Sequence, residues 1–133
     1  MLLLLSACHA PSPIKGTWRL VSGTTITKGV STFTDYTKST NMIKVINDGH
    51  FAFLRHDQGG DSSNHFDAGG GRYTLSGDQY TEYLDYYGDK NWEGKKFDFT
   101  VRFVGDSLIQ DGREKVDKEG VDREIIERYV RVD

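Results

Sequence analysis

The stretch Phe97-Asp98-Phe99-Thr100-Val101-Arg102-Phe103-Val104-Gly105-Asp106-Ser107-Leu108-Ile109-Gln110 decides the fold class. In an extended chain successive side chains point to opposite faces, so Phe97, Phe99, Val101 and Phe103 share one side and Asp98, Thr100 and Arg102 the other. Gly105-Asp106 then places a two-residue turn between two apolar runs, the signal of a β-hairpin. A helix would scatter the same phenylalanines around its circumference.

The pattern recurs on either side. Gly16 to Ser22 alternates Trp18 and Leu20 with Thr17, Arg19 and Val21. Met42–Ile46 and His50–His56 flank Asn47-Asp48-Gly49, and Asp-Gly between apolar runs predicts a type I′ hairpin. Arg72–Ser76 and Gln79–Tyr87 flank Gly77-Asp78, and Glu124–Val132 closes the chain with a further alternating run. Asp57 to Asn64 is polar and reads as a loop. Thr24 to Asn41 is rich in Thr and Ser, with Phe33 and Tyr36 as its apolar anchors. It reads as an irregular crossover containing one extended piece, placed to lie over one end of the fold as a lid. Gly69-Gly70-Gly71 removes three side chains in a row, which predicts a bulge, a sharp bend or the close approach of another backbone.

The expectation is an all-β chain of about 8 to 10 antiparallel strands. Hairpin connections allow an up-and-down barrel or a sandwich. The barrel is preferred because the first and last strands are long and apolar, and such edges left open invite aggregation. Closure requires the last strand to pair with the first.

The 133 residues carry 17 Lys and Arg against 20 Asp and Glu, a formal charge of −3. No basic cluster marks a nucleic-acid footprint, so nucleic-acid partners are not expected. Leu5-Ser6-Ala7-Cys8 resembles the lipobox at which a bacterial signal peptidase cuts before a diacylated cysteine. On that reading residues 1–7 are a truncated lipoprotein signal peptide whose true start lies upstream of Met1, residues 8–14 are a lipidated tether, and residues 15–133 are the barrel domain. The protein would be lipid-anchored at Cys8 in the cell envelope, on the outer membrane or cell surface, as a monomer. The competing reading is a disordered N-terminus with a chance cysteine. A spanning helix is excluded, since one needs about 20 apolar residues. The single cysteine also excludes an intrachain disulfide.

Gly16-Thr17-Trp18, opening the first strand, is similar to the glycine, any residue, tryptophan signature of the calycins, the group of lipocalins and fatty-acid-binding proteins. Gly16-Thr17-Trp18-Arg19-Leu20-Val21-Ser22 looks especially like the opening of the fatty-acid-binding proteins. From Lys15 to Val132, including Gly70-Gly71-Arg72-Tyr73-Thr74-Leu75 and Tyr80-Thr81-Glu82, the chain resembles the lipocalin-like domains of secreted bacterial proteins. The resemblance implies a barrel whose last-strand arginine, Arg128 or Arg131, packs over Trp18. Fatty-acid-binding proteins hold a carboxylate with an arginine and a tyrosine two residues apart on the last strand. Arg128 and Tyr129 are adjacent here and point to opposite faces, which argues against a fatty acid held in that way.

For the interior, Tyr80, Glu82, Leu84 and Tyr86 share one face of their strand, while Thr81, Tyr83, Asp85 and Tyr87 share the other. If the first face points inward, Glu82 is an interior carboxylate that must be protonated or paired, with Arg128 as its candidate partner. If not, Glu82 lies on the outer wall. The candidate ligand-binding set is Trp18, Tyr73, Tyr80, Glu82, Phe97, Phe99, Phe103 and Arg128, for a small apolar or amphipathic ligand. The same aromatics could instead fill the barrel, as eight-stranded barrels are either packed or hollow. For Trp18 the favoured reading is a closure contact without a ligand. His50 and His56 share a face about 20 Å apart, too far to share a metal ion, and line a cavity or serve the neighbouring turn. Neither metal ligands at zinc spacing nor a catalytic motif occurs, and no cofactor is expected. Two other functions stay open: a barrel isomerase or hydrolase using Glu82 as acid or base beside Tyr80 or His50, and a packed barrel acting as an interaction module.

Overall fold

The structure, a computed structural model, describes residues 12–58 and 64–133. Cys8 and the lipobox, the first part of the tether and residues 59–63 of the polar stretch lie outside the described residues. Ten strands follow in order: β1 (Gly16–Thr27), β2 (Val30–Asp35), β3 (Thr40–Ile46), β4 (His50–Gln58), β5 (Asn64–Ser76), β6 (Gln79–Tyr83), β7 (Tyr86–Tyr87), β8 (Lys96–Val104), β9 (Ser107–Val116) and β10 (Val121–Arg131). Eight of them, β1, β3, β4, β5, β6, β8, β9 and β10, form an antiparallel up-and-down barrel. It closes where β10 pairs with β1, from Trp18 opposite Arg131 to Ile26 opposite Glu124, with a register shift between Leu20 and Ser22. This is the first-to-last pairing that the apolar terminal strands predict.

β8 shows why the chain folds this way. Phe97, Phe99 and Val101 are buried and Asp98, Thr100 and Arg102 exposed, so burying the apolar face fixes the register of the strand. Phe103 departs from the pattern: at the barrel end it remains 39% exposed while its ring lies 6.2 Å from that of Trp18. Gly77 and Gly105 lie at φ of 60° and 56° and lead the β5–β6 and β8–β9 turns, positions that favour glycine.

Two sequence expectations need correction. Thr24–Asn41 is no irregular crossover: β1 runs on to Thr27 and turns through Lys28 and Gly29, at φ of 49° and 78°, into β2. Two central residues at positive φ are the requirement of a type I′ turn. The β1–β2 hairpin is therefore regular, and only β1 pairs with β2. The Asn47-Asp48-Gly49 turn, conversely, has no residue at positive φ. Asn47 organises it by accepting hydrogen bonds from the Gly49 and His50 amides at 3.0 and 2.8 Å, an Asx turn rather than type I′.

The glycine triplet marks the close approach that its sequence suggests. A Cβ on Gly70 would meet the Phe51 carbonyl, and one on Gly71 the Tyr83 carbonyl. β5 can thus pair with β4, β6 and the short β7 together.

The two ends of the barrel differ. At the base, Ile14 is fully buried and its carbonyl accepts the Trp18 indole N–H at 2.8 Å. The Arg131 guanidinium lies 4.2 Å from the Trp18 ring centroid and donates to the Lys15 carbonyl at 2.8 Å. Arg131, and not Arg128, thus makes the cation-over-indole closure that the calycin resemblance implies, a contact worth about 0.5 to 2 kcal/mol. Ile46, Phe51, Tyr80 and Leu108 complete the packed base.

Candidate functional site

Above that base the barrel is hollow. A cavity of about 350 Å³ opens at the opposite end, with Lys44, Glu82, Gln110 and Tyr129 among its deep residues and Tyr36, Arg55, Asp67 and Trp92 among those higher up. Each deep polar residue occupies an inward position of its strand. Met42, Lys44 and Ile46 are the buried residues of β3, and Tyr80 and Glu82 those of β6. Gln110 is buried on β9 and Tyr129 on β10. Strand alternation therefore carries a lysine, a glutamate and a glutamine from three non-adjacent strands into the interior.

They form a closed triangle. The Lys44 ammonium donates to Glu82 Oε1 at 2.6 Å and to Gln110 Oε1 at 3.0 Å, and Gln110 Nε2 donates to Glu82 Oε1 at 3.1 Å. Buried charges persist when paired and hydrogen-bonded in this manner. Lys44 also lies 4.9 Å from the Tyr129 ring centroid, with the Phe51 and Tyr80 rings at 5.8 and 5.9 Å.

Glu127, two residues before Tyr129, also lines the cavity and makes no ion pair among the described residues. Burial pushes its carboxyl up to about 7; Lys44 and the adjacent Tyr129 hydroxyl pull the other way, while Glu114 and Glu82 add to the rise. The fully buried Tyr129 hydroxyl completes no hydrogen bond among the described residues, and burial, with the Glu127 carboxyl beside it and Glu82, holds it well above the usual phenol range.

One wall is a chain of aromatic rings in series: Phe53 and Tyr87 at 6.2 Å, Tyr87 and Trp92 at 6.4 Å, Trp92 and Phe97 at 5.9 Å. The Tyr87 hydroxyl donates to Asp67 at 3.0 Å, and burial first, then Asp67, raises its pKa to about 12. Across the cavity Arg123 pairs with Glu114 at 2.8 Å. The Arg55 guanidinium stacks over Tyr36 at 5.6 Å.

The residues singled out from the sequence separate into three places. Glu82, Phe97 and Phe99 line the cavity. Trp18 and Tyr80 are buried in the packed base, Tyr73 and Phe103 lie at its edge, and none of the four lines the cavity. Arg128 is outside: it is exposed on β10 and donates to Ser107 Oγ at 3.1 Å. Glu82 does point inward, but its partner is Lys44 and not Arg128. His50 lies on the exposed face of β4 with Ala52 and Leu54, and neither His50 nor His56 lines the cavity. β6 ends at Tyr83, so Tyr86 turns outward at 72% exposed while Tyr87 turns in. Sequence reasoning missed Lys44, Gln110, Glu127 and Trp92. The alternation Met42-Lys44-Ile46 was the available signal for the first.

No protein-family model matches the chain, and no curated protein matches it significantly. Among solved structures, a lipocalin-like protein from Bacteroides uniformis superposes with a TM-score of 0.53 at 19% identity, covering 88% of this chain and 96% of that one. An uncharacterized protein from Bacteroides eggerthii aligns at 15% identity over 86% of this chain and 97% of that one, with a TM-score of 0.44. The closed eight-stranded barrel and its likeness to the first of these identify the fold as lipocalin-like.

Proposed function

We propose that this barrel is a binding protein for a small amphipathic molecule, carried on an extracytoplasmic lipoprotein anchored through Cys8. One observation carries the binding reading: the upper barrel encloses about 350 Å³ open at one end, within the range of small-molecule sites. An aromatic wall beside a few fixed polar groups is how such sites combine affinity with orientation. A ligand would lay its apolar body along Phe53, Tyr87, Trp92 and Phe97 and send its polar end toward Tyr129. The Lys44–Glu82–Gln110 triangle satisfies its own charges and holds the floor rigid. With Glu82 bonded to both partners, a role as proton carrier gains no support.

The rise in emission of N-phenyl-1-naphthylamine, a neutral fluorophore that brightens on leaving water for an apolar site, tests the reading and is read equally in variants that lack Trp92. Binding with one-to-one stoichiometry is expected, with Trp92→Ala weakening it roughly tenfold. Absence of saturable binding, together with native mass spectra of host-purified protein free of any small molecule, would remove the proposal.

A further inference from the structure

We infer that the ligand is a cation, an amine on an apolar or aromatic body, whose ammonium seats against Glu127 and the Tyr129 hydroxyl. The inference rests on the binding reading above and adds the charge. Three interior ionisable groups, Lys44, Glu82 and Glu127, comprise two carboxylates and one ammonium. Lys44 is committed to Glu82 and Gln110 at 2.6 and 3.0 Å. Higher up, Arg123 is committed to Glu114 at 2.8 Å and Arg55 to Asp57 at 3.3 Å. Glu127 is left without a cation of its own, and an isolated interior carboxylate is costly unless it is protonated or paired.

A second observation, made on the neighbouring side chain, points to the same place. Tyr129 is fully buried and lines the cavity, and its hydroxyl faces the Glu127 carboxyl without completing a hydrogen bond to any of the described residues. Such a group is costly to leave unmet. A phenol donates one hydrogen bond and accepts others, so Tyr129 can accept from an ammonium. The surrounding aromatic faces favour a cation over a neutral or anionic head group.

The groups facing Glu127 are Lys44 from β3, Tyr80 and Glu82 from β6, Glu114 from β9 and Tyr129 on its own strand. β1, whose Gly23 lies opposite Glu127, contributes no titratable group there. With the carboxyl at about 7, the empty site holds part of a proton near pH 6.5. An entering ammonium makes Glu127 give it up to the buffer.

The test is a matched series sharing one apolar body: 4-phenylbutylamine, 4-phenylbutan-1-ol and 4-phenylbutanoate, titrated calorimetrically at pH 8. The amine should bind roughly tenfold or more tightly than the other two. Glu127→Gln should remove the amine's advantage over the alcohol, both measured on that same variant. At pH 6.5, titration in buffers of different ionisation enthalpy should show net proton release with the amine in the wild-type protein and none in Glu127→Gln. Preference for the butanoate, or an amine preference that survives Glu127→Gln, overturns the inference and leaves the binding reading standing. Failure of all three probes to bind, while N-phenyl-1-naphthylamine binds, overturns the inference alone; failure of all four overturns both. Glu127→Gln keeps the side-chain volume, and its thermal melt verifies that it folds.

Discussion

Glu127 sits two positions before Tyr129 on a strand whose apolar residues divide between its faces, with Ile125 buried and Ile126 half-buried. That ambiguity is why the sequence left it unmarked: placing Ile126 and Val130 inward puts Arg128 inside and Glu127 outside, whereas β10 folds the other way round. Glu82 was legible because Tyr80 and Leu84 share its face. Lys44 was not assigned to it, since which charge meets which across a barrel depends on the shear between strands distant in sequence. Glu127 also has a consequence for stability. Its carboxyl titrates at about 7 in the folded protein against an ordinary 4.5, so between these values the folded state binds more protons than the unfolded one. Stability therefore falls as pH rises through that window, by roughly 3 kcal/mol at most. Thermal melts of the empty protein from pH 5 to pH 8 should show that decline. Glu127→Gln should flatten it, and an unchanged profile would mean that the carboxylate is solvated.

At the scale of single elements, glycine patterns were the most readable part of the chain, with instructive exceptions. Gly77-Asp78 and Gly105-Asp106 both form the two-residue turns expected of them. Lys28-Gly29 went unnoticed because lysine rarely adopts positive φ, whereas the structure holds it at 49°. The Gly69–Gly71 run conveyed close approach but not the neighbour, which is the β4 backbone at Gly70. Gly70→Ala should destabilise the protein by about 1–3 kcal/mol, because the added methyl meets a carbonyl that the sheet holds in place. Gly88→Ala, where a Cβ has open space, should stay within about 0.5 kcal/mol. Chemical denaturation of the two variants checks the contrast; equal effects would mean that β5 is free to move away from β4.

Across the whole molecule, the choice between a packed and a hollow barrel resolves by height. The aromatic residues that the sequence pooled into one lining are shared between a solid base around Trp18 and an open upper chamber. Strand periodicity distinguishes inside from outside but carries no coordinate along the barrel axis, so Trp18, Tyr80 and Phe97 looked equivalent. Closure itself was legible, since both terminal strands are long and apolar. The proposed anchorage is a property of the full chain: Cys8→Ser should move the protein from the membrane fraction of its host to the soluble one and abolish metabolic labelling with palmitate. Retention on membranes would end that proposal.

The described chain joins the barrel at the Trp18 end, where Ser12 to Lys15 run beneath it and Arg131 donates to the Lys15 carbonyl. Cys8 lies four residues before Ser12, a span of at most about 14 Å. A diacylglycerol on that thiol would hold the solid floor down against the bilayer like a moored buoy. The doorway would look out into the aqueous compartment, so cargo would be exchanged with dissolved molecules and not drawn from the lipid beneath.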